Sequence, residues 1–530
     1  MAAGALSPVY DVTIVGGGHN ALVAAAYLAR AGRSVVVLER LDHVGGAAVS
    51  EQPWQGVGAR VSRYSYLVSL LPRAVIDDLG LDIRLRRRRF SSYTPDPGGP
   101  SRGILIDTAD AAATADSFAR VTGGTGEAMR VAQLSARLAP VARLLFPSMM
   151  EPLRPAGELR ARLDDDALWE ALFDHPLGGL LRSSLETDIA RGIALTDGLI
   201  GTFASADDES LRQNRCFLYH VIGGGTGDWD VPVGGMGRVT AELSRAAIAA
   251  GADLRTGAEV VAVSPDGRVT LGDDTAVQAR LVLSGVGPAV LEALLAAGGA
   301  GASAEPATAP EGAQLKVNML LRRLPRLRDE RVAAESAFAG TFHVNETMSQ
   351  LDAAYATALG GSIPDPLPAE IYCHSLTDPS ILSPALRASG AHTLTLFGLQ
   401  TPHRLLEGRD PDAARAALLD AAQRSLDSVL GEPIADCVYE APDGSPCIEA
   451  RTTADLERSL GMVGGDIFHG GLSWPWADDD DPLGTPAQRW GVATEHASVL
   501  MCGSGARRGG AVSGLGGHNA AMAALEMLAH

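Results

Sequence analysis

The sequence is poor in cysteine, in aromatic residues, in positive charge and in long apolar runs, and each shortage removes a class of protein. Five cysteines in 530 residues, Cys216, Cys373, Cys437, Cys447 and Cys502, are odd in number, far apart and never arranged as C-x-x-C. That excludes a redox dithiol and the usual zinc spacings, and predicts reduced structural thiols. Aromatics make up 5% of the chain while glycine reaches 61, which favours close packing of elements and turn-rich connections. The formal net charge of −19 argues against a nucleic-acid partner. No run reaches the roughly 18 apolar residues of a membrane helix. Residues 281–302 come nearest and are broken by Gly285, Gly287, Pro288 and Glu292. The opening MAAGALSPVYDV has neither a basic region nor a long apolar segment, which predicts no leader peptide and a cytoplasmic protein; contact with a membrane surface is left open.

What is present begins close to the N-terminus. Residues 12–15 form an apolar run, glycines follow at once, and residues 21–31 are apolar at helical spacing, the signature of strand, tight turn and helix. Gly16, Gly18 and Ala21 fit G-x-G-x-x-G/A: the first permits the turn, the second admits a pyrophosphate against bare backbone, and the small third residue lets helix pack on strand. The helix's free N–H groups, at His19 and Asn20, then face the phosphates. A second β-branched strand ends in Glu39, whose carboxylate suits both ribose hydroxyls and repels a 2′-phosphate. This is a dinucleotide site.

Further on, residues 60–81 read as apolar and largely helical, with Pro72 as a helix start, and residues 84–90 (RLRRRRF) read as a solvated strand or loop, the sharper alternative being attraction of an anionic substrate. Residues 107–205 read as several helices, within which the apolar residues 144–150 read as core, or as a mouth for a lipophilic ligand. The glycine clusters at 123–126 and 223–227 lack a strand-to-helix setting and are not second nucleotide sites. Helix and hairpin signals over 238–284 suggest a return to the first sheet, and residues 315–321, 392–399 and, more weakly, 371–375 suggest a second sheet. The acidic run Asp478 to Asp481 suits an exposed loop, and no metal is expected. At the C-terminus a strand, the glycine-rich segment with Gly503 and Ser504, and a helix from about Gly516 repeat the strand–turn–helix order.

Taken together, IVGGGHNALVAAAYLARAG, VLERLDHVGGAAVSE, GDWDVPVGGMG, GGDIFHGGLS and GSGARRGGAVSGLGGHNAA resemble the phytoene desaturase-like FAD oxidoreductases, within them the subgroup called pyridine nucleotide-disulphide oxidoreductase domain-containing protein 2. The resemblance covers nearly the whole chain. It implies FAD rather than NAD, and an α/β fold in which a Rossmann-like FAD-binding domain is built from discontinuous segments (1–85, 235–300 and 485–530). A substrate domain of mixed sheet plus helices (86–234 and 301–484) accompanies it, as in phytoene desaturases and amine oxidases. Position by position, the resemblance implies that Gly16, Gly18, His19, Asn20 and Ala21 hold the pyrophosphate and Glu39 the ribose. Arg40, Gly45, Gly46 and Ala47 line the phosphate and flavin side, and Val260 meets the adenine. Gly503, Ser504 and the last helix, with Gly516, His518 and Asn519, lie at the flavin.

For catalysis the first choice is His220, shortly before Trp229, which would wall the pocket; His343, His374 and His403 are weaker choices, and Arg508 lies near the expected flavin. Three functions follow as expectations. One is an FAD-dependent dehydrogenase or desaturase acting on a small or apolar, polyene-like substrate. The second is an amine or amide oxidase reoxidised by oxygen. The third is a flavin-bound protein with a structural or partner-binding role.

Overall fold

The computed structural model describes residues 6–301 and 309–529. The chain opens with β1 (Val9–Val15), α1 (His19–Arg30) and β2 (Val35–Leu38), then leaves for β3 (Phe90–Pro95) and β4 (Gly103–Asp107). A largely helical stretch follows, including α2 (Gly126–Ser148), α3 (Asp188–Leu195) and α4 (Arg212–Val221). The chain returns through α5 (Met236–Ala250) to β5 (Asp253–Arg255), β6 (Val260–Val263), β7 (Arg268–Leu271) and β8 (Ala276–Ser284). It crosses again to β9 (Ala313–Leu321), β10 (Thr341–Val344), β11 (Ala369–Tyr372), β12 (His392–Pro402) and β13 (Ile448–Arg451), and finishes on β14 (Val499–Met501) and α6 (Leu515–Leu528).

The first sheet runs β6-β7-β8-β1-β2-β5, with β14 beside the end of β8. Its centre is parallel, with Ile14 level with Val37 on one side and Leu283 on the other. A parallel sheet covered on both faces needs continuous apolar strands, and β2 (VVVL) is buried at all four residues. Helices α1 and α6 lie backbone against backbone over it: a Cβ on Gly517 would come within 1.9 Å of the Asn20 carbonyl. In α5 a Cβ on Gly237 would stand 2.8 Å from the Ser50 nitrogen, so the GGMG glycines serve helix packing.

The second sheet runs β13-β9-β12-β11-β10-β3-β4 and is antiparallel except where β10 meets β3. The architecture is therefore the expected α/β one, a Rossmann-like sheet with a second mixed sheet and helices. Two local readings change. Residues 60–81 are helical only over Arg73–Leu79, because the carbonyls of Ser62, Tyr64 and Ser65 accept hydrogen bonds from the buried Lys316 ammonium instead of from a helix. The weaker strand is Ala369–Tyr372, and His374–Thr377 is a turn of helix.

Candidate active site

A cavity of about 530 Å³ runs from the end of β1 into the space between the second sheet and helices α2 to α4. Its first limb is walled by Gly16, Gly17, Gly18, His19, Asn20 and Ala21. Gly16 turns the chain at φ +87°, a conformation L side chains rarely adopt. Gly18 has an ordinary φ of −69°, yet a Cβ built on it meets nothing within 4 Å, so the space above it is open. Helix α1 starts there with no side-chain cap and no acidic residue in its first turn, which leaves its N–H groups and positive end for an anion. Glu39 also lines the limb; its Oε2 accepts from the Gly17 N–H at 2.6 Å and its Oε1 from the Leu41 N–H at 2.9 Å, and each oxygen keeps a further acceptor site. These residues fit an adenine dinucleotide. His19 and His469 line the limb too, and burial pushes both down to about 4, so neither adds charge at neutral pH. His19 Nε2 reaches the Ala511 carbonyl at 3.1 Å and ties the α1 tip to the C-terminal segment.

Gly46, Ala47, Gly503 and Ser504 line this cavity as well. Arg40, Gly45, Val260, Gly516, His518 and Asn519 do not. Arg40 donates to the Ser459 carbonyl at 2.9 Å, and Gly45 bridges Gly18 beneath the turn. Val260 pairs with Leu271 in the sheet, and a Cβ on Gly516 would run into the carbonyls of Gly503 and Cys502. His518 packs edge-on against Tyr27, while the Asn519 amide donates to the Met149 carbonyl. At that end the wall is instead Ala511 and Val512, because the small residues of α6 are consumed in its contact with α1. Arg508 is neither at the surface nor in the cavity: 1% exposed, it donates to the carbonyls of Ser148, Glu151 and Trp490. The five cysteines are buried and free.

Residues that sequence reasoning missed also line the cavity, among them Tyr66, Gly285, Gly287, Gln314 and Lys316. The G-x-G at 285–287, directly after an apolar strand, was the available signal; a lysine inside the strand AQLKVNMLL was another. Lys316 is held well below the usual ammonium range by burial and lies 4.9 Å from the Tyr66 ring centre.

Beyond Tyr66 the second limb carries His220 and Trp229, stacked with ring centres 4.8 Å apart. His220 Nδ1 is held by the Cys216 carbonyl at 2.9 Å, and burial lowers its proton affinity. Deeper lie Arg88, Asp197, His343, Glu370 and Tyr372. Arg88 is the one arginine of the basic run that leaves the solvated face, donating to the Thr341 hydroxyl at 3.2 Å. His374 and His403 stand outside the cavity. Ligand-capable atoms of His343, Glu346 and Glu370 lie within 4.8 Å of one another, the one such group among the described residues. They are engaged with protons: His343 Nδ1 and Glu346 Oε2 hydrogen-bond at 2.5 Å, and the Tyr372 hydroxyl donates to Glu370.

Burial pushes Asp197 up to about 6 and Glu370 up to about 7. Folding therefore raises both proton affinities, so their favourable contribution is complete below the unfolded carboxylate range and is lost as pH rises through the folded values. Denaturant titrations of the apoprotein should show wild type losing stability relative to the D197N/E370Q variant between about pH 4 and pH 7, by at most about 1.4 kcal/mol per pH unit per group. A flat difference would contradict the assigned burial.

Comparison with known proteins agrees with this geometry. The family model described as an NAD(P)-binding Rossmann-like domain matches residues 14–73. An uncharacterized protein of Mycobacterium tuberculosis is 54% identical over 98% of both chains. The mouse pyridine nucleotide-disulfide oxidoreductase domain-containing protein 2 is 31% identical over 98% of this chain and 94% of its own. Among solved structures, putrescine oxidase bound to putrescine has the same fold, with a TM-score of 0.58, 17% identity and 98% and 99% of the two chains covered. Fold and cradle define an FAD-dependent oxidoreductase. Within that class, the chain belongs to the family of pyridine nucleotide-disulfide oxidoreductase domain-containing protein 2. The dithiol of the family's name has no counterpart in this sequence.

Proposed function

We propose that the protein removes hydride from a C–H bond of a small, mainly apolar molecule, as a dehydrogenase or desaturase. On this reading residues 1–85, 235–300 and 485–530 carry the cofactor and residues 86–234 and 301–484 the substrate. Gly16, Gly18, His19, Asn20 and Ala21 would hold the pyrophosphate and Glu39 the ribose; bound there, FAD supplies a two-electron hydride acceptor. The observation that carries the proposal is the continuity of the cradle with an apolar limb lined by Val131, Leu134 and Leu138 of α2, Ile193 of α3 and Phe217 of α4. Such walls exclude water and hold a carbon chain in place, which hydride loss requires. Trp229 on His220 would close one side of the limb, and His220, bonded to a helix carbonyl, would orient the substrate.

Anaerobic mixing of FAD-loaded protein with a panel of apolar alcohols, amines and polyenes tests this: bleaching of the flavin by one of them is expected. No bleaching by any, with stoichiometric capture of a protein partner, would favour a binding role instead. A second reading, an amine oxidase reoxidised by oxygen, is favoured by Asp197 and Glu370, two carboxyl groups facing the cavity that could receive an ammonium. Peroxide release in air separates the two readings. NADPH should not reduce the bound flavin quickly without oxygen, because the glycine clusters at 123–126 and 223–227 each follow a helix rather than a strand; rapid reduction in a stopped-flow trace would refute this.

A further inference from the structure

Behind the cavity's polar patch stands a histidine with a carboxyl group at its back. His343 lies on β10, and Asn345, at φ +57°, turns the chain so that Glu346 folds back onto it. Glu346 is 1% exposed; its Oε2 meets His343 Nδ1 at 2.5 Å while its Oε1 has no partner. With Nδ1 engaged, and His343 lining the cavity, Nε2 is the ring nitrogen left for a ligand. The other histidines weighed from the sequence differ. His220 has a helix carbonyl and the Cys216 thiol behind it, neither of which can neutralise an imidazolium, while His374 and His403 stand outside the cavity, His403 bonded to Thr453.

We propose that His343, positioned by Glu346, accepts a proton from a substrate bearing a protic heteroatom, the nitrogen of a primary amine or the oxygen of an alcohol, on the carbon that loses hydride. The proposal rests on the hydride-removal reading above. Writing X for that heteroatom, the X–H proton goes to His343 Nε2, the C–H bond breaks with its electron pair leaving as hydride to oxidised flavin, and the pair left on X closes the C=X double bond. Two electrons and one hydrogen nucleus leave on the cofactor, and the second proton leaves on the imidazole.

Most of the charged groups packed around the pair are carboxyls that favour proton uptake, opposed by one guanidinium. Glu370, level with His343 on β11, and Tyr372 two residues on face the pair from one side; Asp197, after α3, and Arg88, before β3, face it from others. Three carboxyl groups thus share one guanidinium. Burial holds His343 below the ordinary imidazole range and Glu346 well above the carboxylate range, so the two titrate as one unit. Its deprotonated form carries a net buried negative charge, and gaining the substrate's proton removes that charge.

The test uses FAD-loaded wild type, H343N and E346Q with amines and alcohols of matched carbon skeleton. In wild type, anaerobic flavin reduction should speed up with rising pH, with a midpoint well above the carboxylate range. H343N should lower the rate about 100- to 1000-fold and abolish that pH limb, E346Q about tenfold, both with unchanged flavin content. Whichever skeleton mate reacts identifies the heteroatom. Above that midpoint, nitrogen NMR of histidine-labelled protein should show, beside rings such as those of His220 and His518 whose Nδ1 faces an oxygen, one further ring protonated at Nδ1 and bare at Nε2, missing in H343N and shifted in E346Q. Unchanged rates in H343N, bleaching only by hydrocarbons lacking N–H and O–H, or a resonance indifferent to E346Q would each overturn the proposal. If no compound reduces the flavin, the hydride reading fails, and the NMR arm alone decides whether the pair exists.

Discussion

Gly18→Val is expected to fold normally and to stay colourless. Gly18 caps α1 with φ −69° and ψ 171°, angles open to valine, and a Cβ there meets no atom within 4 Å. The substitution therefore adds no backbone strain and no clash at Cβ. Its branched carbons occupy the open space against which a pyrophosphate would lie, directly over the uncapped N–H groups of α1. FAD affinity should fall more than about 100-fold, roughly 3 kcal/mol, while the apoprotein melts within a degree or two of wild type. The neighbouring Gly16 makes a poor probe, because its φ of +87° and a Cβ contact of 3.2 Å with Val286 would confound stability with binding. Reconstitution with excess FAD, removal of free ligand and a flavin absorbance spectrum decide the matter: a yellow G18V protein would place the cofactor elsewhere.

Arg508→Met is expected to produce the largest loss of stability. The guanidinium is 1% exposed and has no carboxylate opposite it; burial pushes it down to about 10. It is held by three carbonyls, Ser148 at 3.0 Å, Glu151 at 2.6 Å and Trp490 at 3.1 Å, the first closing the C-terminal end of α2, where a cation is favoured by the helix dipole. Methionine fills much of the volume but donates nothing, leaving the Trp490 carbonyl and the part-buried Glu151 carbonyl without a donor, while the Ser148 carbonyl keeps the Glu151 N–H. At ~1–3 kcal/mol for each of the two, partly offset because a charge is no longer buried, the apoprotein should lose about 2–4 kcal/mol in denaturant titrations. Arg508→Lys should recover only part, since one ammonium cannot reproduce a planar fork. A loss below about 1 kcal/mol would mean that water satisfies those carbonyls.

The cradle was legible because its parts are local: β1, the glycine turn, α1, β2 and Glu39 occupy about thirty consecutive residues, with β1 paired to β2 and the Gly16 N–H bonded to the Leu38 carbonyl inside that stretch. Lys316 and Glu370 were harder, because nothing in the sequence of their strands marks a cavity face, and His343 entered only as a weaker choice. The trace they leave is alternation, Thr341 and His343 on one face of β10, Glu370 and Tyr372 on one face of β11. The other end of the chain is packed differently. Gly516, His518 and Asn519 follow a turn like that of β1–α1, yet α6 spends its small residues on α1, a choice invisible without the partner helix.

Sequence alone determined the cradle that fits a dinucleotide, because bare backbone, a helix tip and one carboxylate suffice and all arrive in a single covalent stretch. Only the folded chain decided what the rest of the cavity can do. Arg88, Asp197, His343, Glu346 and Glu370 come from four distant segments, and their proton affinities are set by how much water the packing removes, a property that no residue carries by itself.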